Sequence, residues 1–368
     1  MTPHWRAVAV LVYAFAGSRP ASAGVYGIDD RHHVYLEDDP RWHDLAARSV
    51  IAELRSGWAL CDGITIAPTQ TLGEYADLCP GEAFEDDPVV TSCSATLIDD
   101  DLIVTAHHCI EDGGCATAAF APGLRFSAKN ELAIPGPDDI YTCRRVVAQT
   151  DGVDIAIVQL DRPVAGDYVP ATLGPTPDEE GAELGVIGFP TYTPMKIARE
   201  CTVRGLHAGL VRHDCDTFHG NSGSGVFDGD GGLFGVHILV TGDYDMVGDC
   251  YVTKVYTQDG HIPGIPSAPQ FGAAARIDDL LPVLCESGWP TPLCGTKASC
   301  GDGTCSGTET AASCDSDCGP PVCGDAICEV TVELACDEDC GHLTAACPGG
   351  ESSGGDTEEP STSTDAAG

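Results

Sequence analysis

The chain has 368 residues, 43% of them hydrophobic, which is enough to bury one large core or two smaller ones. Its formal net charge of −39 at pH 7 argues against nucleic acid as a partner, because a phosphate backbone requires a basic surface. Twenty cysteines indicate an oxidising compartment, where disulfides persist. Their spacings lack the paired Cys-x-x-Cys elements with downstream histidines that are typical of zinc sites, so we expect no metal ligands among them.

Residues 1–23 have the pattern of a secretion signal. Arg6 precedes an apolar run over residues 7–17, and Ala21-Ser-Ala23 provides a small-residue cleavage site. Neither this run nor any later stretch is long enough to span a bilayer. We therefore predict a signal peptide over 1–23, a mature chain that starts near Gly24, and secretion without a membrane span.

Two segments precede the strand-rich part of the chain. Residues 24–60 contain Leu45–Leu54, a run compatible with a helix or a strand, and we assign them to an N-terminal segment and a first strand. Whether part of this segment is a removable propeptide stays open. Residues 61–92 are rich in Pro, Gly and acidic residues, and we predict a surface insertion closed by a local disulfide between Cys61 and Cys79.

Short apolar runs separated by Gly, Pro and Asp characterise residues 93–294 and predict an all-β barrel or sandwich. No alternation with long helical patterns is visible, which argues against an α/β fold. Residues Ala273–Leu284 are apolar on one side only and predict a C-terminal helix. The strand-like runs are Ala95–Ile98, Leu102–Ala106, Arg144–Ala148, Ile155–Leu160, Leu184–Phe189, Gly205–Val211, Gly225–Phe227 and Leu233–Val240.

Two small cysteine-rich repeats occupy residues 295–347. The first begins its four cysteines at Cys300 and the second at Cys323, 23 residues later. Units this short cannot bury a core, so two disulfides must hold each of them. Their Cys-Asp-x-Asp-Cys segments offer carboxylates to calcium, but no full ligand loop is visible and solvated acidic turns are the favoured interpretation. Residues 348–368 predict a disordered tail.

A serine on a glycine-rich turn is the first candidate for chemistry. In Gly220-Asn-Ser-Gly-Ser-Gly225, a strained turn can expose the Ser222 hydroxyl beside backbone N–H groups, which suits a nucleophile and its oxyanion donors. A flexible Gly/Ser hairpin has the same composition. The blocks Thr105-Ala-His-His-Cys109 and Asp151-Gly-Val-Asp154 supply the histidine and carboxylate that a serine nucleophile needs.

These three blocks, in the order His, Asp, Ser, resemble those of the chymotrypsin-fold serine proteases, in their bacterial glutamyl-endopeptidase-like branch. The resemblance implies two antiparallel six-stranded β-barrels with the active site between them and a closing C-terminal helix. It also implies peptide-bond hydrolysis through an acyl-enzyme, with no cofactor, protein or peptide substrates, and a monomer.

The resemblance assigns the general base to His108 rather than His107, because the family base directly precedes a cysteine. It also implies a disulfide between Cys93 and Cys109 that holds the base in place. For the carboxylate we choose Asp154, which directly precedes an apolar strand, over Asp151, which with Gly152 is typical of a turn.

Ser222 is the nucleophile in this interpretation, and the N–H groups of Gly220 and Ser222 form the oxyanion hole. Ser224 takes a position usually held by a small residue after the motif. Asn221, not an aspartate, precedes Ser222, so the ion pair with a new N-terminus that activates animal trypsins is not expected.

Specificity has two candidate determinants. In the glutamyl-endopeptidase branch, a Thr or Ser five residues before the nucleophile and a His in a Gly-x-His strand bind the substrate carboxylate, and Thr217 and His237 match them. Asp216 stands where trypsins keep the acid that selects Arg or Lys, so a basic preference is the alternative. Two further alternatives are an inactive protease-like protein and a binding or adhesion protein that acts through its cysteine-rich repeats.

Overall fold

The computed structural model describes residues 24–55, 60–61, 65–110, 114–150, 152–239, 242–263 and 269–295. The predicted signal peptide, the cysteine-rich repeats, the tail, Asp151 and the side chain of Cys61 lie outside the described residues. Within these ranges no helix combines the length and apolar character needed to cross a membrane.

Strands dominate the described chain, and helices are short. The strands are β1 Val25–Tyr26, β2 His32–His33, β3 Val50–Arg55, β4 Leu60–Cys61, β5 Thr65–Ile66, β6 Cys93–Leu97, β7 Leu102–Thr105, β8 Ala118–Pro122, β9 Arg125–Ala128, β10 Glu131–Ala133, β11 Tyr141–Thr150, β12 Val153–Leu160, β13 Glu183–Gly188, β14 Lys196–His207, β15 Leu210–His213, β16 Gly225–Asp228, β17 Leu233–Leu239, β18 Tyr244–Val247, β19 Cys250–Thr253, β20 Val255–Tyr256 and β21 Gly272–Arg276. The helices are α1 Pro40–Arg48, α2 Leu72–Ala76, α3 His107–Ile110, α4 Gly114–Thr117 and α5 Leu281–Glu286.

The first barrel is a closed sheet in the order β11-β12-β7-β6-β3-β8, with antiparallel neighbours throughout. Its apolar runs place side chains such as Ile51, Phe120 and Tyr141 inside the barrel, where all three are fully buried. Closure leaves no sheet edge for another chain to pair with.

The second barrel follows the order β13-β16-β17-β21-β15-β14, and pairing of β14 back to β13 closes it. Strand β2 adds to the outside of β14. Two six-stranded antiparallel barrels confirm the predicted fold class. A large apolar cluster extends between the barrels and includes Trp42, Phe189 and Phe227.

The segment before Cys93 is an integral part of this fold. Asp39 caps α1 by accepting the N–H of Arg41, and Pro40 occupies the first turn. From α1 the buried ring of Trp42 packs edge-on against Phe227, 6.1 Å away between centroids. The ambiguous run over residues 45–54 divides into the end of α1 and strand β3, so the double-barrel fold begins well before residue 93.

Two local predictions were wrong. The run 205–211 is not one strand but a hairpin turn between β14 and β15, where Ala208 and Gly209 have φ of 52° and 84°. The predicted helix 273–284 begins as strand β21, and only Leu281–Glu286 is α-helical. The small apolar side chains of β21 lie between β15 and β17, and this central position outweighs their helix propensity.

The predicted local disulfide in the 61–92 insertion is also wrong. Cys79 bonds to Cys250 on β19, 171 residues away, and thereby ties the insertion to the second barrel. The other disulfides of the described residues join Cys93 to Cys109, Cys115 to Cys143, Cys201 to Cys215 and Cys285 to Cys294.

Candidate active site

His108 and Asp154 meet at the end of the first barrel. His108 lies in α3, directly after β7, and the neighbouring Cys109 is bonded to Cys93 of β6. Because β12 runs antiparallel to β7, its first residues lie beside α3. One oxygen of Asp154 accepts the backbone N–H of His108 at 2.8 Å, and the other lies 2.6 Å from Nδ1 of the ring.

This contact determines the ionisation of Asp154 and the tautomer of His108. Burial alone would raise the pKa of Asp154, but hydrogen bonding and the charge of His108 outweigh it and hold that pKa below its ordinary value. An ionised Asp154 accepts the Nδ1–H of His108 and leaves Nε2 as the basic nitrogen. His107 is half-buried at the start of the same helix, and Asp151 lies outside the described residues.

Ser222 lies beside this pair. Its carbonyl oxygen accepts the N–H of Ser94 at 2.8 Å and is 3.8 Å from Sγ of Cys109. The ring of His108 has a nitrogen within 4.8 Å of that same sulfur. The Ser222 side chain is half-exposed, whereas Ser224 is fully buried and its Oγ accepts from Asn221. The accessible hydroxyl of the turn is thus that of Ser222.

Glycine shapes the turn before Ser222. Gly220 has φ of +92°, and a Cβ there would overlap the carbonyl oxygen of Phe189 and lie 2.8 Å from N of Tyr192. Among the described residues, neither the N–H of Gly220 nor that of Ser222 donates to another backbone or side-chain oxygen. Two neighbouring N–H groups are therefore available to an anionic oxygen.

A metal site is not supported by this cluster. Within the described ranges the one group of three possible ligands is Cys93, His108 and Cys109. Its two cysteines form a disulfide, so they offer no thiolate to a cation. The expectation that no metal takes part stays a prediction.

The predicted specificity residues divide into two groups. Thr217 and His237 are fully buried, and their Oγ1 and Nε2 atoms have no hydrogen-bond partner in the part of the chain that the structure describes. Asp216 is engaged elsewhere: its oxygens accept the N–H groups of Tyr26 at 2.7 Å and Asp30 at 3.0 Å. Burial, and then the charge of Asp30, raise the pKa of Asp216 well above its ordinary value.

A second histidine determines the proton position on His237. The N–H of Cys215 donates to Nδ1 of His213 at 3.2 Å, so Nε2 of His213 carries its proton. That Nε2 lies 3.0 Å from Nδ1 of His237 and donates to it, which assigns the remaining proton of His237 to Nε2. Burial lowers the pKa of His213 to about 4, and burial together with His213 lowers the pKa of His237 well below its ordinary value. His237 is thus a neutral donor without a partner among the described residues.

Residues 93–236 match the family model of the trypsin-like peptidase domain. This segment is a trypsin-like peptidase domain.

Two curated proteins that resemble this chain come from staphylococci. The chain is 28% identical over 159 residues to exfoliative toxin A of Staphylococcus aureus, covering 40% of this chain and 56% of the toxin. It is 28% identical over 141 residues to glutamyl endopeptidase of Staphylococcus epidermidis, covering 36% of this chain and 47% of that enzyme. The chain thus spans about half the length of these curated relatives.

Two solved structures are also similar. The inactive form of Rv3671c protease gives a TM-score of 0.41 at 15% identity, covering 72% of this chain and 98% of that chain. A glutamyl endopeptidase in complex with MPD gives a TM-score of 0.38 at 18% identity, covering 58% of this chain and 86% of that chain.

The sequence did not point to the role of His213 in the peptidase domain. It belongs to β15, whereas His237 belongs to β17, and β21 lies between these strands. Gly272 of β21 is paired with His213, and a Cβ there would lie 3.0 Å from both nitrogens of that ring. The run Gly272-Ala-Ala-Ala275 is the one signal that two large side chains meet across this strand.

Proposed function

We propose that this chain is a secreted serine endopeptidase that uses Ser222, His108 and Asp154. The observation that carries the proposal is the double contact of Asp154 with the backbone and ring of His108, next to the half-exposed Ser222. In this mechanism the Ser222 hydroxyl attacks the scissile carbonyl while Nε2 of His108 takes its proton. The same proton then passes to the leaving amine, and water hydrolyses the acyl-enzyme.

The oxyanion of each tetrahedral intermediate binds to the N–H groups of Gly220 and Ser222. Preorganised donors of this kind contribute on the order of 3 kcal/mol each to transition-state stabilisation. Asp154 keeps its charge in this cycle, because a lowered pKa favours the ionised form beside the imidazolium.

We further propose a preference for cleavage after glutamate. It is supported by the two buried polar groups without partners, Oγ1 of Thr217 and Nε2 of His237, since a substrate carboxylate would satisfy both. The bound carboxylate would accept the Nε2–H of the neutral His237 and the Oγ1–H of Thr217. A preference for Arg or Lys is less well supported, because both oxygens of Asp216 are occupied by backbone N–H groups.

The test uses the secreted protein and a series of peptides that differ only at the residue before the cleaved bond. We expect Ser222→Ala to lower kcat by about 10⁶-fold, whereas Ser127→Ala, at an exposed position, retains activity. A Glu peptide should be cleaved at least ~100-fold more efficiently than its Gln counterpart, because Gln brings an amide NH₂ to the donors. Cleavage after Lys instead would refute the glutamate preference, and equal activity of Ser222→Ala would refute the mechanism.

An alternative function as a binding or adhesion protein is distinguished by the same material. In that case neither the wild type nor any variant would hydrolyse the peptides or react with a fluorophosphonate. Removal of residues 295–368 would then abolish binding to the partner. For a peptidase, the same truncation leaves peptide hydrolysis in place.

A further inference from the structure

The peptide that joins His219 to Gly220 is fixed from the side of a neighbouring turn. The N–H of Thr191 donates to the carbonyl oxygen of His219 at 2.5 Å. In a planar trans peptide the C=O and the following N–H point in opposite directions. The bond to Thr191 therefore turns the N–H of Gly220 away from that turn, and in this orientation it can serve as an oxyanion donor.

Asp243 holds the other side of His219. Its two oxygens are each 3.1 Å from the backbone N of His219, and one of them is 3.0 Å from Nδ1 of the ring. The Asp243 side chain is 9% exposed, whereas that of His219 is 48% exposed. A single buried carboxylate thus fixes the backbone and the side chain of the residue next to the oxyanion hole.

Asp243 is itself held by the rest of the second barrel. Its carbonyl oxygen accepts the N–H of Lys254 at 2.9 Å, which ties it to the end of the β18–β19 hairpin. The disulfide from Cys250 to Cys79 fixes that hairpin to the 61–92 insertion. The ring of the next residue, Tyr244, packs against Phe218 at 5.8 Å. These contacts therefore fix the position of the Asp243 carboxylate.

The turn that supplies the Thr191 N–H is strained. Thr191 and Tyr192 have φ of +53° and +65°, in the left-handed region that side chains other than glycine seldom adopt. Such conformations persist where the surroundings enforce them, and they concentrate at functional sites. Here the carbonyl of Tyr192 accepts the N–H groups of Val90 and Thr91, which fixes the turn against the insertion.

We propose that Asp243, acting through His219, is a positioning residue for the oxyanion hole, and that with the Thr191 N–H it sets the orientation of the Gly220 N–H. This inference rests on the proposed peptidase function. Neither residue touches the reacting atoms in this role. Asp243 holds the Phe218–His219 peptide and the His219 ring. Without the carboxylate the backbone of His219 can change its ψ angle, so that the His219–Gly220 peptide rotates and the Gly220 N–H no longer points to the developing oxyanion.

The experiment compares Asp243→Ala with Asp249→Ala, an exposed aspartate of the same hairpin, as the matched control. We expect Asp243→Ala to lower kcat on a Glu peptide by roughly 100-fold with KM within about twofold, as for loss of an oxyanion donor. A peptide aldehyde, which binds as a tetrahedral adduct, should lose affinity in parallel with kcat. Asp243→Asn keeps an acceptor for the His219 N–H and should restore most of the loss.

A crystal structure of Asp243→Ala provides a readout that does not depend on turnover. The inference predicts that the His219 carbonyl leaves Thr191, and an unchanged peptide orientation would overturn it even if the wild type hydrolysed nothing. An unchanged kcat, or a raised KM at constant kcat, would overturn it as well. If Asp243→Ala does not fold, His219→Ala removes only the ring contact and should lower kcat several-fold at constant KM; no change in kcat would refute the inference.

Discussion

Asp216 accepts the backbone N–H of Tyr26 at 2.7 Å, across 190 residues of sequence. This bond, with that from the N–H of Asp30, fixes the first described residues to the segment after β15 that carries Thr217. The N–H of Gly24 donates to the carbonyl of Thr217 at 2.8 Å in the same place. The N-terminal segment is therefore bonded directly to the backbone of the predicted specificity residue Thr217, and a change in Asp216 acts on both.

Asp216 should make the protein less stable as pH rises. Its pKa is raised by burial and by the charge of Asp30, so the folded state keeps a proton that the unfolded state releases. The contribution of Asp216 to the free energy of unfolding is fully present below the pKa that this residue has in the unfolded state. It falls by about 1.4 kcal/mol per pH unit above that pKa, until pH passes the pKa of Asp216 in the folded state. We expect Asp216→Asn to remove this slope from the free energy of unfolding.

Urea unfolding of both proteins from pH 4 to pH 9 measures the effect. Because an Asn amide accepts only one of the two N–H groups, the variant should be less stable at pH 4 by about 1 kcal/mol. At high pH it should be the more stable of the two. Parallel curves would show that Asp216 does not carry the proton.

Gly220→Ala should abolish most of the activity and leave the fold intact. An alanine at φ of +92° is strained, and its Cβ would overlap the Phe189 carbonyl. The peptide must move, so the Gly220 N–H leaves the oxyanion position and kcat should fall by at least ~100-fold. Gly248→Ala is the matched control, because it has a similar φ of +66° with no atom near its Cβ position. Equal kcat for the two variants would contradict this assignment.

The all-β class was predictable because the strands are short apolar runs between turns, as at Leu102–Thr105 and Val153–Leu160, whereas the two six-stranded barrels were implied by the family resemblance. The predictions failed where the local composition is compatible with two different structures. Gly272-Ala-Ala-Ala275 has helix-forming residues, but burial between β15 and β17 makes it a strand. The disulfide partner of Cys79 could not be predicted either, because the arrangement of the strands in space, and not the distance along the chain, brings Cys79 to Cys250.

The candidate site also contains some residues that could be predicted from the sequence and others that could not. His108, Asp154 and Ser222 each lie in a local block whose residue types indicate chemistry, and the structure places these blocks side by side. The contacts from His213 to His237 and from Asp243 to His219 each involve one residue, His213 or Asp243, that belongs to no local motif. Only the closed second barrel makes them neighbours, so the sequence alone could not predict them.

The buried histidine pair should limit stability at acidic pH. Burial lowers the pKa of His213 to about 4, so the unfolded state binds a proton at a pH where the folded state does not. Stability is therefore full above the unfolded pKa near 6.5 and falls by about 3 kcal/mol as pH drops toward 4. Imidazole ¹⁵N shifts should show His213 and His237 neutral at pH 5.5, with exposed His207 as the solvent-accessible reference. Titration of either near pH 6.5 would contradict the proton assignment.

An α-amino group at Gly24, which the predicted signal-peptide cleavage after Ala23 would produce, should assist glutamate recognition. Gly24 lies next to Thr217, and glycine is required there because a Cβ would come within 2.7 Å of the Lys254 carbonyl. A free amine at this position adds a positive charge beside the pocket, whereas a peptide N–H preserves the hydrogen bond without the charge. We expect a protein that begins at Gly24 to cleave a Glu peptide roughly tenfold more efficiently than one that begins at Ala23, through Coulomb attraction to the substrate carboxylate.

The Gln counterpart of that peptide separates charge from packing. Its kcat/KM should be the same for both proteins, because a neutral side chain gains nothing from the amine. The advantage of the Gly24 form should also shrink at high ionic strength, because dissolved ions screen the attraction between the amine and the substrate carboxylate. If kcat/KM of the Ala23 form fell equally for the Glu and the Gln peptide, the added residue would act by obstructing substrate binding and not by removing a charge.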